Sequence, residues 1–162
     1  MKKNDLVFRM EPVAGDPERV EEMVKATGFF REDETAVAVE LVRERLEKGL
    51  ESGYEFIFAG KEGETVAYCC YGLIPCTLCS YDLYWIVTHP AHGKQGIGSI
   101  LLQKPEEAVR HAGGRGIYVE TSSREQYLPT RLFYEKNSYR LKARFEDFYA
   151  PGDDKVVYVK YL

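Results

Sequence analysis

The chain has 162 residues, a formal net charge of −4, 44% hydrophobic and 30% charged residues, the composition of one ordinary globular domain spanning residues 1–162. No apolar run approaches the roughly 18 residues of a membrane span, and MKKNDLVFRMEP lacks the apolar stretch of a signal peptide, so a cytoplasmic protein without a membrane partner is expected. The acidic balance and the lack of clustered Lys and Arg argue against a nucleic-acid surface.

Val7 to Met10 reads as a first strand, followed by a turn at Val13 to Gly15. Asp16-Pro17-Glu18 predicts a helix start, with Asp16 as N-cap and Pro17 at the first helical position. Val20, Met23 and Val24 then share a face and Gly28 closes the helix. A second helix is expected from about Glu34 to Lys48, with Val37, Leu41 and Val42 on its apolar stripe and Gly49 as its stop.

Tyr54 to Ala59 and Thr65 to Leu73 predict two strands joined by a hairpin at Lys61-Glu62-Gly63-Glu64. All four cysteines, Cys69, Cys70, Cys76 and Cys79, follow within eleven residues. Four thiolates in such a span admit a zinc or redox site. Adjacent Cys69 and Cys70, however, point to opposite faces of a strand, which favours reduced thiols and no metal.

In the next strand Tyr81, Leu83, Trp85 and Val87 face one way, and Asp82, Tyr84, Ile86 and Thr88 the other. Both faces are largely apolar, the pattern of a central strand. It runs into His89-Pro90 and then Gly93-Lys94-Gln95-Gly96-Ile97-Gly98-Ser99 before an apolar helix, Ser99 to Ala112, that contains Pro105 and closes at Gly113-Gly114. Strand, glycine loop and helix start together make an anion site: Gly96 and Gly98 permit positive φ, backbone N–H groups from Gly96 to Ser99 point outward, and Lys94 adds a charge. Ser99-Ile100 after Gly98 excludes a P-loop, and Leu101 stands where a dinucleotide loop carries its third glycine.

Gly116 to Thr121 is a further strand and Pro129 to Lys136 a helix beginning near Leu128. Tyr139 to Tyr149 and Lys155 to Tyr161 read as two strands joined at Pro151-Gly152-Asp153-Asp154. The element order is β-αα-βββ-α-β-α-ββ.

His89-Pro90 followed by Gly93-Lys94-Gln95-Gly96-Ile97-Gly98 resembles the acyl-CoA loop of the GNAT superfamily of N-acetyltransferases, strand end then Arg/Gln-x-x-Gly-x-Gly/Ala, with Gly93 in place of Arg or Gln. Downstream, Tyr127, Thr130, Phe133-Tyr134-Glu135-Lys136 and Ser138-Tyr139 are similar to the family's Asn-x-x-Ala-x-x-Leu-Tyr-Glu-Lys-x-Gly-Phe, with Tyr127 for Asn and Ser138 for Gly. The two motifs stand in the right order, within a match covering roughly residues 65 to 161. The resemblance implies an α/β (α+β) GNAT fold. Its central sheet is mixed and mostly antiparallel, splayed between the fourth and fifth strands, and flanked by about four helices.

It also implies acetyl-CoA as co-substrate, a primary amine of a small molecule or peptide as acceptor, direct attack in a ternary complex, and dimerisation through the last strands. Ile86, Val87, Thr88, Gly93, Lys94, Gln95, Gly96, Ile97, Gly98, Ser99, Thr130, Phe133 and Tyr134 become the expected CoA contacts. Tyr134, a phenol protonated at neutral pH, is the expected acid for the departing thiolate. Glu120 and Asp82, carboxylates within apolar strands, are the alternative bases, with a water-linked base also open. His89 and His92 read as structural or surface residues rather than catalytic ones. Tyr71, Tyr84, Tyr127 and Phe148 are candidates for an aromatic acceptor pocket or for plain core. Gly93 and Tyr127 keep open a second reading, a non-catalytic acyl-CoA sensor of the same fold.

Overall fold

The structure, a computed structural model, describes residues 5–162. Its elements are β1 (Val7–Arg9), α1 (Asp16–Thr27), α2 (Glu32–Lys48), β2 (Glu55–Lys61), β3 (Glu64–Leu73), β4 (Ser80–Thr88), α3 (Ile97–His111), β5 (Gly116–Ser122), α4 (Leu128–Lys136), β6 (Arg140–Ala150) and β7 (Asp153–Tyr161). This is the order expected from the sequence. The strands form one seven-stranded sheet in the order β1-β2-β3-β4-β5-β7-β6, which makes β4 central. β1 with β2, β2 with β3, β5 with β7 and β6 with β7 pair antiparallel, whereas β4 and β5 run parallel, their register covering Ser80↔Gly116, Tyr81↔Ile117 and Asp82↔Tyr118. Both strands continue beyond that register, β4 to Thr88 and β5 to Ser122. The mixed, mostly antiparallel sheet expected from the sequence is therefore present, with four α-helices among the described residues.

Two units make up the chain. The first comprises the chain up to Gly72 together with Trp85–Pro105. Val20, Met23 and Val24 of α1 and Ala38, Val39 and Val42 of α2 bury a common core against Phe56 and Phe58 of β2, Tyr68 and Cys70 of β3, and Val87. Phe56, Phe58 and Tyr68 stack with ring centroids 5.8–6.4 Å apart. The hairpin between β2 and β3 turns at Glu62 (φ 53°) and Gly63 (φ 86°); two left-handed residues match the twist of the flanking strands.

Three details differ from expectation here. Gly15, not Asp16, precedes α1; Asp16 is its first residue, wholly buried, because its carboxylate is drawn inward by Arg9, Arg19 and the Val13 N–H. The buried stripe of α2 is Thr35, Ala38, Val39, Val42 and Arg45, which leaves Val37 exposed. Arg45 completes the stripe because Glu11 accepts from its guanidinium at 3.1 Å. The helix α3, with Pro105 inside it, begins at Ile97, ahead of the start expected at Ser99.

The second unit comprises Leu73–Tyr84 and Glu106–Leu162. One face of β5 and β7 is apolar, with Ile117, Val119, Val156 and Tyr158 buried, and Tyr134 and Tyr139 lie in the same aromatic group. Glu106, almost fully buried, accepts from Tyr139 Oη at 3.2 Å and Lys160 Nζ at 2.9 Å. The β6–β7 ladder breaks after Phe145↔Lys155 and resumes at Ala150↔Asp153, so Glu146–Tyr149 bulge opposite Asp154. Asp154 holds the bulge by accepting from Asp147 N at 2.9 Å and Arg144 Nε at 2.6 Å.

Candidate functional site

In the first unit β4 ends at Thr88, and His89 starts a single 3-10 turn, Pro90–His92. The His89 Nδ1 caps that turn by accepting the Ala91 N–H at 3.1 Å, the structural role expected of it. Gly93 gives its N–H to Pro90 O at 3.1 Å and therefore adds no outward donor. Positive φ then falls at Lys94 (60°) and Gly96 (76°). Gly98 does not need it, because α3 has already begun at Ile97 and Gly98 is its second residue.

The helical ladder of α3 opens with Ile100 N to Gly96 O at 3.2 Å, so the N–H groups of Gly96, Ile97 and Gly98 precede its first bond at the positive end of the helix dipole. Ile97 is buried and anchors the helix start, while Gly93 to Gly96 are exposed. Lys61, at the end of β2, donates to Gln95 Oε1 at 3.1 Å and brings a second ammonium to a loop that already carries Lys94. The start of α3 thus gathers helix-terminal backbone donors, two cations and two left-handed residues, a combination that suits an anion. Upstream, the Val87 side chain belongs to the core and Ile86 and Thr88 are half-buried, which leaves Val87 only its backbone for a ligand.

In the second unit Tyr134 is buried on α4, its ring 5.4 Å from Phe133, 5.7 Å from Tyr139 and 6.2 Å from Tyr158. Thr130 and Phe133 on the same helix are half-buried. Arg131 ties α4 to the end of β5 by donating to Ser122 O and Arg124 O, both at 2.8 Å.

Asp82 and Glu120 share a face. Asp82 stands opposite Tyr118, and Glu120 follows one pleat along β5. Lys155 on β7, opposite Ser122, reaches diagonally to Glu120 with 2.8 Å between Nζ and Oε1. Burial pushes the Asp82 carboxyl above its ordinary range, the Glu120 charge adds to this, and Lys155 partly offsets both. The Lys155 ammonium also lies 4.4 Å from the centre of the Phe148 ring.

Of the acceptor-pocket candidates, Tyr71 is buried, Tyr127 is half-buried beside α4, and Tyr84 and Phe148 are exposed. Cys69 and Cys70 are buried free thiols whose burial raises them far above the ordinary thiol range; Cys76 is exposed and Cys79 half-buried. Among the described residues no helix is long and apolar enough to cross a membrane. Lys61 and Lys155 were not singled out by the sequence; each acts through a partner far along the chain, and no local pattern marks it.

The profile of the acetyltransferase (GNAT) family matches residues 19–139. Among solved structures, a protein assigned to the GNAT family of acetyltransferases from Desulfovibrio desulfuricans is 40% identical, with a TM-score of 0.95 over 96% of this chain and 98% of its own. An aminoglycoside 6'-N-acetyltransferase complexed with coenzyme A is 16% identical, with a TM-score of 0.75 over 96% of each chain. The ribosomal-protein-S18-alanine N-acetyltransferase from Escherichia coli is 13% identical, with a TM-score of 0.74 over 96% of this chain and 93% of its own. No protein of curated function matches the sequence.

Proposed function

Since this chain belongs to the GNAT family of acetyltransferases, we propose that it acts as one domain to transfer an acetyl group from acetyl-CoA to a primary amine of a small molecule or peptide. The start of α3 carries this reading: Gly96, Ile97 and Gly98 N–H groups, Lys94, and a Gln95 held by Lys61 suit the CoA pyrophosphate. The breadth of the acceptor class follows relatives of the same fold, one named for aminoglycosides and one for a ribosomal-protein alanine.

The chemistry needs the amine nitrogen to attack the thioester carbonyl, the C–S bond to break, the amine proton to leave and the thiolate to gain a proton. Tyr134 is the proposed proton donor to the thiolate, supported by its place in the FYEK motif and its burial. Asp82 is preferred over Glu120 as proton acceptor, because Glu120 is already paired with Lys155 while burial biases Asp82 toward taking a proton. Thr130 and Phe133 are proposed CoA contacts on α4.

Calorimetry with acetyl-CoA, followed by a panel of amines with detection of released CoA thiol, tests the reading. Micromolar binding and turnover of at least one amine are expected. No acetyl-CoA binding would overturn it, and binding without turnover of any amine would support the sensor reading.

A further inference from the structure

The sheet face that carries Asp82 and Glu120 contains an ammonium that belongs to the protein itself. Lys155 Nζ sits 2.8 Å from Glu120 Oε1, 4.4 Å from the Phe148 ring centre and 5.9 Å from that of Phe145. A carboxylate on one side and aromatic faces on the other are the environment in which proteins hold a primary ammonium ligand. Here the ligand is tethered.

Its surroundings are built for it. The Lys155 side chain is only 17% exposed, whereas that of Glu120 is 49% exposed and the Phe148 residue 55%. Phe148 reaches Lys155 because Glu146–Tyr149 bulge from the β6–β7 ladder, and the bulge is fixed by Asp154, which accepts from Asp147 N and Arg144 Nε, and by Asp147 Oδ1, which accepts from Gly152 N at 2.8 Å. On the same face Asp82 has no ion-pair partner among the described residues. Two carboxylates thus face one lysine, and one negative charge is uncompensated.

We propose that Lys155 is a specificity-determining residue: it fills, as a tethered ammonium, the place beside Glu120 and Phe148 that a second ammonium of an acceptor would otherwise take. The acceptor is then an amine with a single positive charge, whose ammonium is drawn to Asp82 and whose apolar body lies along Phe148. The inference rests on the proposed acetyltransferase activity and names the acceptor class for it.

The experiment compares kcat/KM for 2-phenylethylamine, butylamine, 1,4-diaminobutane and glutamate in wild-type protein and in Lys155→Met, which keeps the apolar stem but not the charge. Wild type is expected to prefer 2-phenylethylamine over 1,4-diaminobutane by about tenfold, and glutamate to be the poorest of the four. Lys155→Met should shift the diamine-to-monoamine ratio about tenfold toward the diamine, and Lys155→Arg should retain the wild-type ratio. Phe148→Ala should raise KM for 2-phenylethylamine several-fold at unchanged kcat. An unchanged ratio in Lys155→Met, a wild-type preference for glutamate or the diamine, or loss of all turnover in Lys155→Met with acetyl-CoA affinity intact would each overturn the proposal. Failure of wild-type protein to bind acetyl-CoA would instead remove the acetyltransferase reading on which it rests.

Discussion

The ammonium of Lys61 lies 3.1 Å from the side-chain oxygen of Gln95 and joins the end of β2 to the loop that opens α3. Gly96, next to Gln95, has φ 76°, and open space surrounds the position of a Cβ there, so a side chain would meet backbone strain and no steric block. Gly96→Val should therefore displace the backbone donors at a local cost of about 1–2 kcal/mol and weaken acetyl-CoA binding about tenfold. Lys94→Ala removes one exposed charge and should weaken it about threefold or less. A titration of the two variants checks the order, and the reverse order would show that side-chain charge carries the binding.

Tyr134→Phe removes a hydroxyl while leaving the ring contacts with Phe133, Tyr139 and Tyr158 in place. If the phenol protonates the departing thiolate, kcat should fall about a hundredfold while acetyl-CoA affinity and thermal stability stay close to wild type. Equal turnover in the two proteins would return Tyr134 to a purely packing role.

Local chemistry wrote much of this fold into the sequence. Gly28, Gly49 and Gly113 end α1, α2 and α3 with positive φ where the residue pattern stops being helical, and the two apolar faces of β4 mark it as the central strand. The glycine loop was legible for the same reason. Pairings between distant segments were not. Asp16 has the composition of an N-cap, and only the folded chain brings Arg9 to it; Lys61 and Gln95, or Lys155 and Glu120, meet through sheet order that no window of sequence contains. The bulge at Glu146–Tyr149 was hidden as well, since RLKARFEDFYA reads as an uninterrupted strand until Asp154 supplies its partner.

Asp16 shows how strongly one such pairing acts. Its carboxylate is wholly buried and accepts from Arg9 Nη1 at 2.7 Å, Arg9 Nη2 at 2.9 Å, Val13 N at 2.7 Å and Arg19 Nη1 at 3.1 Å. Burial alone would raise its acid, but the Arg9 hydrogen bonds, the Val13 N–H, the Arg9 charge and the Arg19 hydrogen bond together hold it below the ordinary value of 3.8. A carboxyl lowered on folding stabilises above its unfolded value and loses that contribution as pH falls through the folded one. Asp16→Asn should thus cost about 3 kcal/mol at pH 7, the lower end for a broken buried pair because both arginines keep some water. Urea unfolding at pH 7 and below pH 3.8 should show the gap between wild type and variant closing in acid.

Asp82 works in the opposite sense. Burial raises its acid above 3.8, the neighbouring Glu120 charge raises it further, and Lys155 opposes both. A base acts only when ionised, so kcat/KM should decline as pH drops through this raised value, at a higher pH than an ordinary carboxylate would give. Lys155→Met removes the opposing charge and should move that acid limb upward in pH, while Glu120→Gln should move it downward. Asp82→Asn should remove the limb and lower kcat/KM about a hundredfold. Because folding raises this acid, its ionised form works against the native state at pH 7, and Asp82→Asn should leave stability unchanged or slightly increased. A loss of rate without a loss of melting temperature therefore separates proton transfer from misfolding, and a pH profile identical to wild type in Asp82→Asn would assign the base to water.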